Sequence, residues 1–327
     1  PLMYISSTPS NDVGRWWDKD EEDAHKAAFA AASSLMNEGL TREQLNLVHS
    51  RLYSNFDLVG FEARSYLPSA LGAGSVGVQS QRVAFNVIHS CIEALTSKIG
   101  KMKPRPSFLT SGGSFTMTQR AKRLDKFMVG VFYEAKLYSV AKDVFRDACA
   151  YGTGFLHAFL DQKNRVAYER VFPNDIYVDD SDGRYREPRQ MMRRHAISRE
   201  VLAAKFPKFR AEISTAAGES EANKNGFGDV VTVYELWHLP SGPRAKDGKH
   251  AITTKECCLL MEDYKCDEFP ILALRYSPRT LGFYGQGVAE VLTGIQIEMN
   301  RLMQSVSAQL RRKGRGQWLI PTSANVP

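Results

Sequence analysis

The stretch from Gly285 to Lys313, GQGVAEVLTGIQIEMNRLMQSVSAQLRRK, limits what this chain can fold into more than any other. Its apolar residues are Val288, Val291, Leu292, Ile295, Met299, Leu302, Met303, Val306 and Leu310. Their gaps of three or four residues, with two adjacent pairs, keep the stripe on one helical face throughout, so the stretch predicts one long amphipathic helix. At 1.5 Å per residue that helix runs roughly 40 Å. Glu290, Glu298, Arg301, Gln304, Ser307, Gln309 and Arg311 take the remaining surface. Arg311, Arg312 and Lys313 sit where the helix dipole is negative. Burying each apolar side chain is worth about 1.5 to 3 kcal/mol at most, so a stripe of this length calls for a partner, in its own chain or in a neighbour.

At 327 residues the chain has room for two or three domains and a sizeable core. Its hydrophobic content of 43% and charged content of 24% are ordinary for a globular protein. No apolar run approaches the length of a membrane span. The opening PLMYISSTPSND lacks the basic and apolar regions of a secretory signal, which predicts cytoplasmic synthesis. Cys91, Cys149, Cys257, Cys258 and Cys266 are odd in number and unpatterned, and are expected to be free thiols. A net charge of +7 permits a polyanionic partner without compelling one.

Taken in order, Trp16 and Trp17 follow a polar lead and read as an arm that docks on something. Ala24, Ala27, Ala28, Ala31, Leu35 and Met36 predict a helix from Asp18 to about Asn37, stopped by Gly39. Thr41 with Gln44 reads as a capping box for a second helix through Leu45, Val48 and Leu52. PSALGAGSVGVQS, residues 68–80, is a loop by composition. A helix is expected from Arg82 to Ile99, then an extended KMKPRPSFLT, because its prolines disfavour helix before them. Helices follow over Thr116 to Lys136 and Tyr138 to Ala150; the QRAKRLDK run on the first reads as a solvated face, with contact to nucleic acid as the alternative. Gly154–Asp161 and Arg165–Phe172 form a hairpin, and MMRRHAI a further strand. Ser198 to about Ser214 reads as a helix that Pro207 kinks or interrupts. AAGESEANKNGFG is a linker, and residues 229–239, 250–254, 257–261 and 269–276 form a small antiparallel β module. That module separates the helix near 198–214 from the long one, which predicts that the two helices are antiparallel neighbours. After Lys313, Trp318, Leu319 and Ile320 begin a strand without a partner, and the polypeptide reads as cut short.

The chain carries none of the common catalytic signatures. No nucleophile elbow, zinc-protease motif, Walker loop or kinase signature occurs. Gly152–Gly154 lacks the lysine and preceding strand of a phosphate loop. His25, His49, His89, His157, His195, His238 and His250 have no ligand spacing. Cys257, Cys258, Cys266 and His250 lack the CxxC pairing of a zinc site. Asp175, Asp179, Asp180 and Asp182 lack calcium-loop spacing and read as solvated turn carboxylates. The chain is therefore read as a non-enzyme without cofactor or metal. The competing class is a metal-dependent DNA-processing enzyme, a nuclease or packaging motor subunit, holding magnesium on the Asp175–Asp182 cluster. A third is a monomeric adaptor or scaffold.

Several phrases occur in an order that resembles the portal proteins, or head-to-tail connectors, of tailed bacteriophages, those of short-tailed phages in particular. They are EALTSKIGKMKPRPSFLT, VAKDVFRDACAYGTGFLHAFLD, YERVFPNDIYVDDSDG with RQMMRRHAISRE, and FPILALRYSPRTLGFYGQGVAEVLTGIQIEMNRLMQSV, spread over residues 80–320. The resemblance implies an α+β fold with residues 1–197 as a helical and β-stranded wing, 198–216 as the first stem helix, 217–283 as the clip and 284–313 as the second stem helix. Residues 314–327 would begin the return toward wing and channel loop; the family's crown lies beyond this chain. It also implies a structural subunit of a twelve-membered ring at one capsid vertex of the virion, a conduit for double-stranded DNA in packaging and ejection. Implied partners are the terminase large subunit, tail adaptor or head-completion proteins, the major capsid protein, and scaffolding or internal core proteins. On that reading the nine-residue stripe packs between subunits or in the stem, and Arg311, Arg312, Lys313 and Arg315 touch passing phosphates transiently.

Overall fold

A computed structural model describes residues 15–19, 21–54, 85–110, 112–161, 163–215, 229–242 and 245–314. The expected loop at 68–80, the linker at 216–228, and the expected strand at Trp318–Ile320 lie outside these residues. In chain order the elements are α1 (Glu21–Ser54), α2 (Val87–Ile99), α3 (Phe115–Glu134), α4 (Leu137–Tyr151), β1 (Thr153–Leu160), β2 (Val166–Val171), β3 (Ile176–Tyr177) and β4 (Gln190–Ser198). Then come α5 (Arg199–Lys205), α6 (Arg210–Thr215), β5 (Val230–His238), β6 (Lys249–Thr253), β7 (Cys258–Asp263), β8 (Ile271–Arg275), β9 (Ser277–Pro278), β10 (Gly285–Gln286) and α7 (Val288–Gly314). Helix and antiparallel sheet are mixed, in keeping with the α+β expectation.

The strands form a five-stranded sheet in the order β3-β4-β5-β6-β7 and a three-stranded sheet in the order β2-β1-β8, with β9 and β10 as a short ribbon. Strand alternation sorts each sheet into two faces. On the five-stranded sheet Tyr177, Met192, Leu236 and Ala251 face α1, whose Ala27, Ala28 and Ala32 are small enough to lie flat against them. The opposite face meets two partners. Met191 and Trp237 pack with Phe155, Val171 and Ile271 of the smaller sheet. Val231, Val233, Ile252 and Leu259 pack with Leu202 of α5 and Ile213 of α6. α4 covers the outer face of the smaller sheet, where Asp147 holds Arg170 through two bonds of 2.5 and 2.7 Å.

The expected hairpin is found, with Phe155 opposite Val171 and Leu160 opposite Val166. Three expectations need correction. Gly39 does not end a helix: α1 runs unbroken from Glu21 to Ser54. A Cβ at Gly39 would stand 3.0 Å from the Tyr177 ring, so glycine is there for a close crossing. Arg42 strengthens that crossing, donating to the carbonyls of Pro173 and Ile176 and lying 4.0 Å over the Tyr284 ring. The 198–214 span is interrupted at Pro207, as expected, but it does not pair with the long helix. Pro207 opens a 3-10 turn between α5 and α6, and the pieces pack on each other and the sheet, whereas α7 packs on α1, α2 and α4. The two helices are not paired.

The third correction concerns the β module. β5, β6 and β7 continue the sheet begun by β3 and β4, and β8 joins the hairpin beside β1. The five-stranded sheet thus takes strands from both sides of residue 197, a pairing that the local pattern does not show. The expected docking of the amino-terminal arm is found. Trp16 is buried in the core between α1 and the sheet, and Trp17 stacks on His238 at 3.9 Å, so the arm docks on its own chain.

A polar row lies on the inner face of the five-stranded sheet. Arg193 Nη1 stands 2.7 Å from Glu169 Oε1, which also receives His157 Nδ1 at 2.8 Å. His250 presents Nε2 to Glu235 at 3.0 Å and Nδ1 to Glu262 at 2.9 Å. His195 Nδ1 is buried without a hydrogen-bond partner among the described residues. Burial, then the nearby Arg193, pulls the His195 pKa down to about 4. For His250 burial opposes protonation, but its bonds to Glu235 and Glu262 outweigh it and the pKa is raised. The bond from His157, then Arg193, holds Glu169 at about 2 against burial. The signs differ. His195 stays neutral when folded, so its contribution is complete above 6.5 and lost as pH falls toward 4, at up to about 1.4 kcal/mol per pH unit. His250 contributes fully below 6.5 and loses that contribution as pH rises through its raised value. Urea titrations at pH 7 and pH 5 are expected to show less acid loss in His195→Gln than in the parent, and more in His250→Gln.

Candidate functional site

α7 starts where two glycine-bearing turns touch. Gly152 ends α4 with φ of 89°, a left-handed conformation in which glycine is unstrained. A Cβ on Gly152 would stand 2.3 Å from the Gly285 carbonyl oxygen, and one on Gly285 would stand 2.4 Å from that of Gly152. A Cβ on Gly287 would stand 2.7 Å from the Gly152 nitrogen. No side chain fits between these backbones. The Gly285 N–H donates to Thr153 Oγ1 at 2.8 Å, fixing the approach. The Gly-Thr-Gly segment, excluded above as a phosphate loop, serves as the seat of the long helix.

From this seat α7 packs through one face only. Ala289 is buried among Ile88, Ile92, Cys149 and Ala150, with Val288 and Leu292 beside them. Two turns on, Gln296 is 1% exposed and bridges two helix ends: its Oε1 accepts from the Ile88 N–H at 3.0 Å and its Nε2 donates to the Leu52 carbonyl at 3.2 Å. One amide satisfies an orphan donor at the start of α2 and an acceptor near the end of α1. Asn300 extends the pattern, accepting from the Phe85 N–H at 2.8 Å.

The nine-residue stripe divides. Val288, Leu292, Met299 and Met303 are half-buried, while Val291, Ile295 and Leu302 are 60%, 54% and 59% exposed, with Val306 and Leu310 exposed beyond them. At 100° per residue the exposed five fall within about 100° of arc, a continuous apolar strip beside the packed face rather than on it. Between Arg301 and Leu310 only Met303 and Ser307 are even half-buried, so the second half of α7 stands clear of the described body. Arg312 and Lys313 are exposed on its last turn; Arg315 lies outside the described residues, as does the surface state of Arg311. Residues missed by the sequence reading are Ala289 and Gln296, since a polar side chain in a helical pattern gave no sign of burial. The paired Gly-X-Gly segments, one after a helix and one before, were the available sign of a backbone crossing.

The remaining candidates fall to other roles. Asp179 Oδ1 accepts from the N–H groups of Ser181 and Asp182, and Asp182 Oδ2 from those of Arg189 and Gln190. These carboxylates close turns. Among the described residues no group of three or more His, Cys, Asp or Glu could hold a metal ion, and no helix is long and apolar enough to cross a membrane. All five cysteines are free thiols. Residues 61–254, more than half of the chain, match the family described as Phage P22-like portal protein. No curated protein matches the chain.

The seat and the bridge are separable by mutation. Gln296→Leu keeps the volume but strands the Ile88 N–H and the Leu52 carbonyl, and is expected to lower stability by about 1 to 3 kcal/mol in urea unfolding. Hydrogen exchange at the Ile88 amide should accelerate with it, while exchange within the five-stranded sheet changes no more than global stability requires.

Proposed function

The chain belongs to the Phage P22-like portal protein family, whose members are structural connectors of the phage virion, and we propose that it is the subunit of a twelve-membered ring at one capsid vertex. The central opening of that ring conducts double-stranded DNA during packaging and ejection. The terminase large subunit, tail adaptor or head-completion proteins, the major capsid protein and internal scaffolding proteins dock on its surfaces.

The observation that supports this reading is the uncovered strip on α7. Val291, Ile295, Leu302, Val306 and Leu310 hold apolar surface in water along a helix of about 40 Å, which is unfavourable for an isolated chain. In a ring each subunit presents one surface to the neighbour ahead and a different one to the neighbour behind, and such heterologous contacts close on themselves. α7, as a stem helix, lays this strip on the next subunit. The packed face carrying Ala289 and Gln296 anchors the helix to its own body. Arg311, Arg312, Lys313 and Arg315 then gather near the axis as a loose basic collar. A conduit needs phosphate contacts that are weak singly, since affinity for duplex rises with every phosphate neutralised.

Native mass spectrometry of the chain tests the assembly. The expected outcome is a ring mass for the parent and a monomer mass for Ile295→Glu/Leu302→Glu, with the helix content by circular dichroism unchanged because both side chains are exposed in the single chain. A monomeric parent at micromolar concentration, or a double variant that still forms rings, would overturn the assignment of the strip.

A further inference from the structure

Positive charge is concentrated between the end of α2 and the start of α4, well before α7 in the chain. Residues 98–142 hold ten lysines and arginines against two acids, Asp125 and Glu134, a net of +8 in a chain whose total is +7. The two acids are engaged elsewhere. Asp125 Oδ1 accepts from the Phe108 N–H at 2.8 Å, and Glu134 pairs with Arg165 at 2.6 Å. Among the described residues none of the ten cations forms an ion pair. All ten side chains are exposed.

Their placement makes one surface. The extended segment carrying Lys101, Lys103 and Arg105 is pinned to α3 by the Phe108–Asp125 bond and to α4 by Tyr138 Oη, which donates to the Pro104 carbonyl at 2.8 Å. Where α2 ends, the Lys142 stem lies close against Gly100, so the cations of α4 adjoin those of the segment. On α3 the buried residue is Ala121, and Lys122, Arg123 and Lys126 lie on the side of the helix turned away from it. Prolines 104 and 106 hold the segment extended, which spaces its cations along a line.

We infer that α3 and the Lys101–Thr110 segment form a sequence-independent binding surface for the phosphate backbone of duplex nucleic acid. Unpaired cations spread over a helix face and an adjoining extended segment match a ligand with regularly repeated negative charge. Each phosphate contact releases condensed counterions, which gives such a surface affinity without base recognition. The surface is separate from the basic end of α7 and does not depend on ring formation.

Fluorescence anisotropy with a labelled random-sequence duplex of about 30 base pairs, over a range of salt concentrations, tests it. Lys122→Gln/Arg123→Gln/Lys126→Gln is expected to weaken binding by at least about tenfold and to reduce the log–log salt slope by about 2 to 3. Lys101→Gln/Lys103→Gln/Arg105→Gln should do the same independently. The control Lys205→Gln/Lys208→Gln/Arg210→Gln, which removes equal charge from the α5–α6 region, should leave affinity within about twofold. Unfolding midpoints should match the parent, since no ion pair is lost. Unchanged affinity and slope in both test variants would overturn the inference, as would loss of all binding on neutralising Arg312 and Lys313 with α3 intact. Displacement of the duplex by poly-glutamate as readily as by unlabelled duplex at equal charge would assign the surface to an acidic protein instead. Native mass measured on the same samples keeps this outcome distinct from that of the ring.

Discussion

Backbone packed on backbone at Gly152, Gly285 and Gly287 determines where α7 begins, and most of the architecture is arranged around that contact. The three glycines let the turn after α4 and the turn before α7 cross without intervening side chains. Thr153 then hydrogen-bonds across the crossing. α7 leaves this point with its Ala289 side against α2 and α4, and Gln296 ties in the far ends of α1 and α2. Four helices distant in sequence are thus held by one crossing and one buried amide. The apolar strip that remains uncovered follows from the same geometry: a helix seated by its small residues presents its large ones elsewhere.

Much of this was legible in the sequence, and the rest was hidden for identifiable reasons. The 3.6-residue period located α7, α3 and α4 well, because long amphipathic patterns carry their own evidence. The hairpin of β1 and β2 was visible from two apolar runs around a short polar turn. What failed was inference across distance. β8 reads locally as part of the module that precedes it, yet it pairs with β1, more than a hundred residues earlier. Gly39 reads as a stop signal, since nothing in the local sequence shows that Tyr177 crosses α1 there. Pro207 was recognised as an interruption, but its effect, two short pieces folded onto the sheet, depended on Leu202 and Ile213 finding Val231 and Val233. For the site, the stripe was read as one face where packing divides it into two, and Gln296 gave no signal at all.

The five-stranded sheet joins two kinds of interior. Toward α1 it is apolar and closely set, with alanines against Met192, Leu236 and Ala251. Toward the smaller sheet it combines Trp237, Phe155 and Ile271 with the charged row of Arg193, Glu169, Glu235 and His250. Buried charges of this kind are stable because each has a partner, and each partner comes from a different strand. Register is therefore enforced on that face: a one-residue slip of β5 against β4 would turn Glu235 away from His250 and bring apolar neighbours to Arg193.

The last feature to consider is mechanical. A rod clamped through its first three turns and free over its second half is a cantilever, with its fulcrum at Gln296. The tip at Arg312 lies about 24 Å beyond that fulcrum. A sideways push on the tip loads the amide bridge, and with it the end of α1 and the start of α2, before it reaches either sheet. Whatever touches the end of this helix is thereby geared to α1 and α2 through two side-chain amides, Asn300 and Gln296.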